Sequence, residues 1–104
     1  MPKLKPLTRS ETRARRQEVF LKACAGELAL PSAVREIRKS LGMTQAIFAK
    51  HFGLTRIQVI DLEKGKANPT LETLMKIGRP FGFQVGFIPK NKPPEELLSR
   101  NRSS

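Results

Sequence analysis

A mainly α-helical domain with one strand near its C-terminal end is the fold class that this 104-residue sequence predicts. Three observations carry that reading. Between residues 31 and 82, four stretches each open on a hydroxyl residue or proline, repeat apolar residues at helical spacing and close on glycine. A longer helical stretch precedes them. Only FQVGFIP, residues 83–89, alternates with a period of two, which is the signature of a strand.

Residues 1–7, with Pro2 and Pro6 among lysines, read as a loose basic arm. Thr8-Arg9-Ser10-Glu11 has the spacing of a capping box, which predicts a helix from Thr8 to about Leu28. Arg9, Arg13 and Arg16 share one face of its first half. Phe20, Cys24 and Leu28 recur every four residues in its second half and predict a docking face, with Cys24 as a small core residue. Pro31 and Ser32 open the next helix, whose Val34, Ile37 and Leu41 share a side and which stops at Gly42. Thr44 caps TQAIFAKHF before Gly53, and Thr55 caps TRIQVIDLEK before Gly65. After the loop Lys66-Ala67-Asn68-Pro69, Thr70 caps a helix with acidic Glu72 in its first turn and a buried stripe of Leu71, Leu74, Met75 and Ile77. Gly78 and Pro80 break it.

The strand at 83–89 places Phe83, Val85 and Phe87 on one face. A lone strand has unpaired backbone donors and acceptors, so pairing with a second copy is the natural solution, which marks these three as dimerisation residues. The resulting organisation is an arm and helix at 1–30, a helical domain at 31–82, a dimerisation strand at 83–89, and a polar tail at 90–104 with room for one helical turn at 95–98.

Charge narrows the function. Twenty Lys and Arg against nine Asp and Glu give a formal net charge of +11, which favours a polyanionic partner: nucleic acid, an anionic membrane surface or an acidic protein, with nucleic acid foremost. Trp and Tyr are absent, so stacking single-stranded bases on aromatic platforms is not the obvious mode. Cys24 is the single cysteine, which rules out an intrachain disulfide. No apolar run approaches the ~20 residues of a membrane span, and the basic N-terminus lacks the apolar stretch of a secretory signal. The expectation is a soluble, cytoplasmic protein without a membrane partner. His51 is a lone surface histidine without metal-ligand spacing. The sequence contains no phosphate-binding glycine loop and no nucleophile beside an evident base, so no metal, no cofactor and no enzymatic activity are expected.

The central motif supplies the sharper signal. Counting from Gln45, the fifth position of a helix-turn-helix must be small because the helices cross closely, and it is Ala49. The ninth needs tolerance of positive φ, and it is Gly53. The buried positions hold Phe48, Phe52, Leu54, Val59 and Leu62. With Leu41-Gly42-Met43-Thr44-Gln45 before the motif, and Leu62-Glu63-Lys64-Gly65 and Asn68-Pro69-Thr70-Leu71 after it, residues 33–82 resemble the lambda Cro/repressor-type (XRE) helix-turn-helix family. That resemblance implies a four-helix repressor-type domain that binds double-stranded DNA.

In that family Gln45 sits at a helix N-terminus and holds a phosphate, while Glu63 is structural. The family's base-reading positions fall on Arg56, Ile57, Ile60 and Asp61, and burial of Val59 and Leu62 turns these outward. Arg56 suits a bidentate guanine contact, with phosphate as the alternative; Ile57 and Ile60 depart from the small polar residues common there and suit thymine methyl groups. Asp61 would accept from cytosine or orient Arg56. Thr44, Gln45, Thr55, Gln58, Lys64, Lys66 and Asn68 are the backbone-contacting candidates. On the preceding helix, Arg35, Arg38 and Lys39 read either as phosphate contacts or as a solvated face.

A repressor-type domain followed by a strand such as FQVGFIP is similar to the HipB-like antitoxins. That resemblance implies a homodimer that represses its own operon from a palindromic operator and neutralises a toxin partner, in that group a HipA-like kinase. A stand-alone or phage-type regulator without a toxin, and a protein-interaction module using Ile57 and Ile60, are the alternatives. The helix at 8–28 lies outside the family pattern and could add core, bind the toxin or reach along DNA.

Overall fold

The computed structural model describes residues 8–91 and residue 94. The arm at 1–7 and the helical turn expected at 95–98 lie outside the described residues. Five α-helices follow one another: α1 (Arg9–Cys24), α2 (Ser32–Ser40), α3 (Gln45–Phe52), α4 (Arg56–Lys64) and α5 (Leu71–Gly78), the last running into a 3-10 turn, Arg79–Phe81.

Each start is set by a side chain that satisfies an orphan amide of the first turn. The hydroxyls of Thr8, Thr44, Thr55 and Thr70 accept from the N–H groups of Glu11, Ile47, Gln58 and Thr73. The exception is α2, where Pro31 stands at the cap and the Ser32 hydroxyl donates back to the Ala29 carbonyl.

The core joins all five helices. Val19 of α1, Val34 and Ile37 of α2, Phe48, Ala49 and Phe52 of α3, Val59 and Leu62 of α4, and Ile77 of α5 are buried together. Leu28, Leu41, Met43, Leu54, Phe81 and Phe83 close around them. The rings of Phe48 and Phe52 lie 4.5 Å apart and fill the space between α3 and its neighbours. α1 runs antiparallel to α2, with Lys22 paired to Glu36 and the Arg15 guanidinium donating to the Lys39 carbonyl.

Four expectations change. α1 ends at Cys24 rather than near Leu28, because Gly26 takes φ +72° and the N–H of Glu27 returns to the Lys22 carbonyl at 2.8 Å, a Schellman stop. Its rotation also differs. Val19 enters the core, Phe20 remains 50% exposed and Cys24 is exposed, so the every-four repeat marks the margin of the docking face. On α5, Ile77 is buried and Leu74 half-buried, but Leu71 and Met75 face solvent.

The fourth correction concerns the strand. No strand is present among the described residues, and 83–89 carries no regular secondary structure. A single chain offers this segment no backbone to pair with. Instead the chain turns at Gly82, the Phe83 N–H bonds the Gly78 carbonyl at 3.0 Å, and the Phe83 ring stacks 5.1 Å from Phe81 and 6.2 Å from Phe20. Phe83 is thereby drawn into its own domain, while Val85 and Phe87 stay exposed.

Candidate nucleic-acid interface

The small Ala49, 3% exposed, lets α4 cross close to α3. Gly53 supplies the turn between them at φ +69°, and the Leu54 N–H closes it on the Ala49 carbonyl at 2.7 Å. Burial of Val59 and Leu62 then fixes the rotation of α4. Arg56 and Ile57 point into solvent, Ile57 with 70% of its surface free. Ile60 and Asp61 are half-buried, so they present less surface than the sequence suggests.

The first turn of α4 is held from both sides. The Thr55 hydroxyl accepts the Gln58 N–H at 3.1 Å, and the Gln58 carboxamide oxygen accepts the Thr55 N–H at 2.8 Å. Gln58 therefore keeps only its amide NH2 for a phosphate or groove edge. After the helix, the Asp61 carbonyl takes the N–H groups of Lys66 and Ala67, which binds the loop carrying Lys66 and Asn68 to α4.

Beneath this surface lies a polar network that joins α2, α3 and α4. The Arg38 guanidinium donates to both Glu63 oxygens at 2.7 and 3.0 Å and to the Met43 carbonyl at 3.0 Å. The Gln45 carboxamide donates to Glu63 at 3.4 Å. Glu63 is thus structural. Arg38 is buried beside it rather than lying on a solvated face, and no buried polar side-chain atom among the described residues lacks a partner. Its place was signalled by position, since Arg38 falls inside the stripe Val34, Ile37, Leu41; the remote partner was not.

Lys22–Glu36 and Arg38–Glu63 are the ion pairs among the described residues, so Arg56, Lys64 and Lys66 project without a carboxylate partner. The same residues contain no cluster of His, Cys, Asp and Glu able to hold a metal. No helix there is long and apolar enough to cross a membrane. Thr55, Arg56 and Ile57 stand where α4 begins and Lys64, Lys66 and Asn68 where it ends or just beyond, while Gln45, next to Thr44 at the start of α3, reaches the last turn of α4 through Glu63. Phe83 and Val85 belong to a separate region beside α1 and α5, and Phe87 stands fully exposed.

A family model described as Helix-turn-helix matches residues 34–88, just over half of the chain. The chain belongs to the helix-turn-helix family. It shares 44% identity over 52 residues with an "uncharacterized HTH-type transcriptional regulator" of Archaeoglobus fulgidus, covering 50% of this chain and 74% of the relative. A protein of the same description from Methanothermobacter thermautotrophicus is 45% identical over 49 residues, 47% of this chain and 71% of its own. The "immunity repressor protein" of Bacillus phage phi105 is 34% identical over 55 residues, 53% of this chain and 38% of the repressor. No solved structure matches the chain. This helix-turn-helix protein is accordingly a DNA-binding regulator of transcription, and its α1 precedes the matched region.

Proposed function

We propose that the protein is a sequence-specific transcriptional repressor that binds a palindromic operator as a homodimer, with α4 of each copy in a major groove. The observation that carries this reading is the fixed rotation of α4, which turns Arg56 and Ile57 outward from its capped first turn while Gln45, at the start of α3, meets its last turn through Glu63. Arg56 is the guanine or phosphate contact and Ile57 packs on thymine methyl groups, with Ile60 and Asp61 at the margin. Thr44, Gln45, Thr55, Gln58, Lys64, Lys66 and Asn68 hold backbone phosphates, helped by the positive ends of the helix dipoles. Two-fold symmetry places the two α4 helices about 34 Å apart, in successive grooves. Dimerisation is assigned to the exposed part of the 83–89 segment, Val85 and Phe87. The phage immunity repressor among the relatives supports repression as the output.

The second reading adds a toxin to this repressor. An operon antitoxin with a kinase-like partner is supported by the exposed apolar residues Phe20, Leu30 and Ile88, which line one groove beside α1 and α5. Co-expression with the product of the adjacent gene and co-purification of the two test it.

The experiment for the main reading is binding of the purified protein to its own promoter across a salt series, beside Arg56→Ala. Tight, salt-sensitive binding that survives excess random DNA and falls about tenfold or more in Arg56→Ala is expected. Weak binding that is equal on all sequences would reject specific repression and leave α4 as a protein-interaction surface.

A further inference from the structure

We propose that the first half of α1 is a second DNA contact, in which Arg9 and Arg13 lie on phosphates outside the groove segment read by α4. This rests on the DNA-binding reading above and extends it beyond the region that the family model covers.

The direction of α1 comes from its contacts. Lys22 pairs with Glu36 and Arg15 with the Lys39 carbonyl, so α1 descends α2 and its first residues run past the C-terminal end of α2. That end leads through Gly42 and Met43 into Thr44, the cap of α3, and Arg38 there is tied to Met43 and, through Glu63, to Gln45. The six residues from Arg15 back to Arg9 carry the helix axis about 9 Å further.

The helix is fastened before it projects. Val19 is in the core, Arg15 is bonded to Lys39, and Arg16 donates to the Pro80 carbonyl at 3.3 Å with its guanidinium 5.3 Å from the Phe81 ring centre. Arg15 and Arg16 therefore act as anchors. Arg9 and Arg13 remain exposed, four residues apart on one face, with no carboxylate in ion-pair reach among the described residues. Like charges at that spacing disfavour a free helix, and a polyanion laid along them removes the penalty. Charge complementarity thus selects the occupant. A duplex already held by Gln45 and Lys64 supplies phosphates to a rigid cationic ridge at the same end of the domain.

The test uses the full chain with a random-sequence duplex and a promoter duplex, each across a salt series. Arg9→Gln/Arg13→Gln is compared with wild type, with Arg9→Lys/Arg13→Lys, and with the control Lys76→Gln/Lys90→Gln, whose exposed side chains lie on α5 and two residues after Ile88, which packs near Gly26 beyond the other end of α1. Losing two phosphate contacts per copy, and so four per bound dimer, lowers the slope of log affinity against log salt by about 3.6, and cuts affinity at least about tenfold at low salt, on both duplexes. The lysine variant and the control keep the wild-type slope, and the promoter-to-random ratio is unchanged. A wild-type slope in Arg9→Gln/Arg13→Gln overturns the proposal, as does an equal fall in the control. If Arg56→Ala leaves the promoter preference intact, base reading by Arg56 fails while the slope on random duplex still decides the role of α1.

Discussion

Removing Glu63 is the most informative perturbation of this fold. Arg38 and Glu63 retain only 9% and 7% of their side-chain exposure, and the carboxylate accepts two charge-assisted bonds from the guanidinium. Glu63→Ala leaves a buried guanidinium whose remaining partner is the Met43 carbonyl, and frees the Gln45 amide. Breaking a buried pair from one side costs about 3–5 kcal/mol, a large share of the roughly 5–15 kcal/mol that holds a small domain. The double variant Arg38→Met/Glu63→Leu removes both charges and leaves apolar side chains in their place, so most of that loss should return. Urea unfolding followed by circular dichroism measures all of these, with Arg38→Met and Glu63→Leu completing the cycle. A loss below about 1 kcal/mol in Glu63→Ala would refute the reasoning, because it would mean that the pair is solvated in solution. A double variant as unstable as the single would locate the cost in packing instead of charge.

Other expectations follow from single features. Gly53 and Gly65 both sit at positive φ, but a Cβ at Gly53 meets nothing while one at Gly65 comes within 3.2 Å of Pro31. Gly53→Ala should cost about 1–2 kcal/mol, and Gly65→Ala more, in chemical denaturation. Thr55→Ala removes one half of the α4 capping box, with about 1 kcal/mol lost and DNA affinity reduced alongside, readable by unfolding and gel shift on one preparation. The hydrogen bond and charge of Glu36 raise the Lys22 pKa above its ordinary 10.5, against the opposing effect of desolvation. A raised folded-state value means that this contribution is complete below about pH 10.5 and disappears as pH climbs through the folded pKa. Melting of wild type and Lys22→Gln should therefore differ at pH 9 and converge toward pH 12.

Much of the domain was legible because its signals are local. Thr44, Thr55 and Thr70 cap the helices they were expected to cap, and Gly53 and Gly65 stop theirs, since each device acts within four residues. The buried set Phe48, Ala49, Phe52, Val59 and Leu62 followed from fixed spacing in the motif. Less legible was whatever a distant surface decides. The rotation of α1 depends on how α2 receives it, and a segment with four arginines in its first half has too little apolar contrast to reveal that phase. Leu71 and Met75 look like core by period alone, yet only Ile77 reaches the centre. The strand at 83–89 was inferred from alternation, and a strand needs a partner that one chain does not contain. Arg38 meets Glu63 across 25 residues, a pairing to which periodicity is blind.

The capping box of α4 also divides that helix into parts that can be rewritten and parts that cannot. Gln58 is bonded to Thr55 in both directions, so any replacement there alters the helix start together with the surface offered to a ligand. Arg56 and Ile57 make no side-chain hydrogen bond or ion pair to the rest of the described chain. Libraries aimed at new operators should vary 56 and 57 and keep 55 and 58 fixed. Variants chosen in that way would differ in what they recognise and scarcely at all in how well they fold.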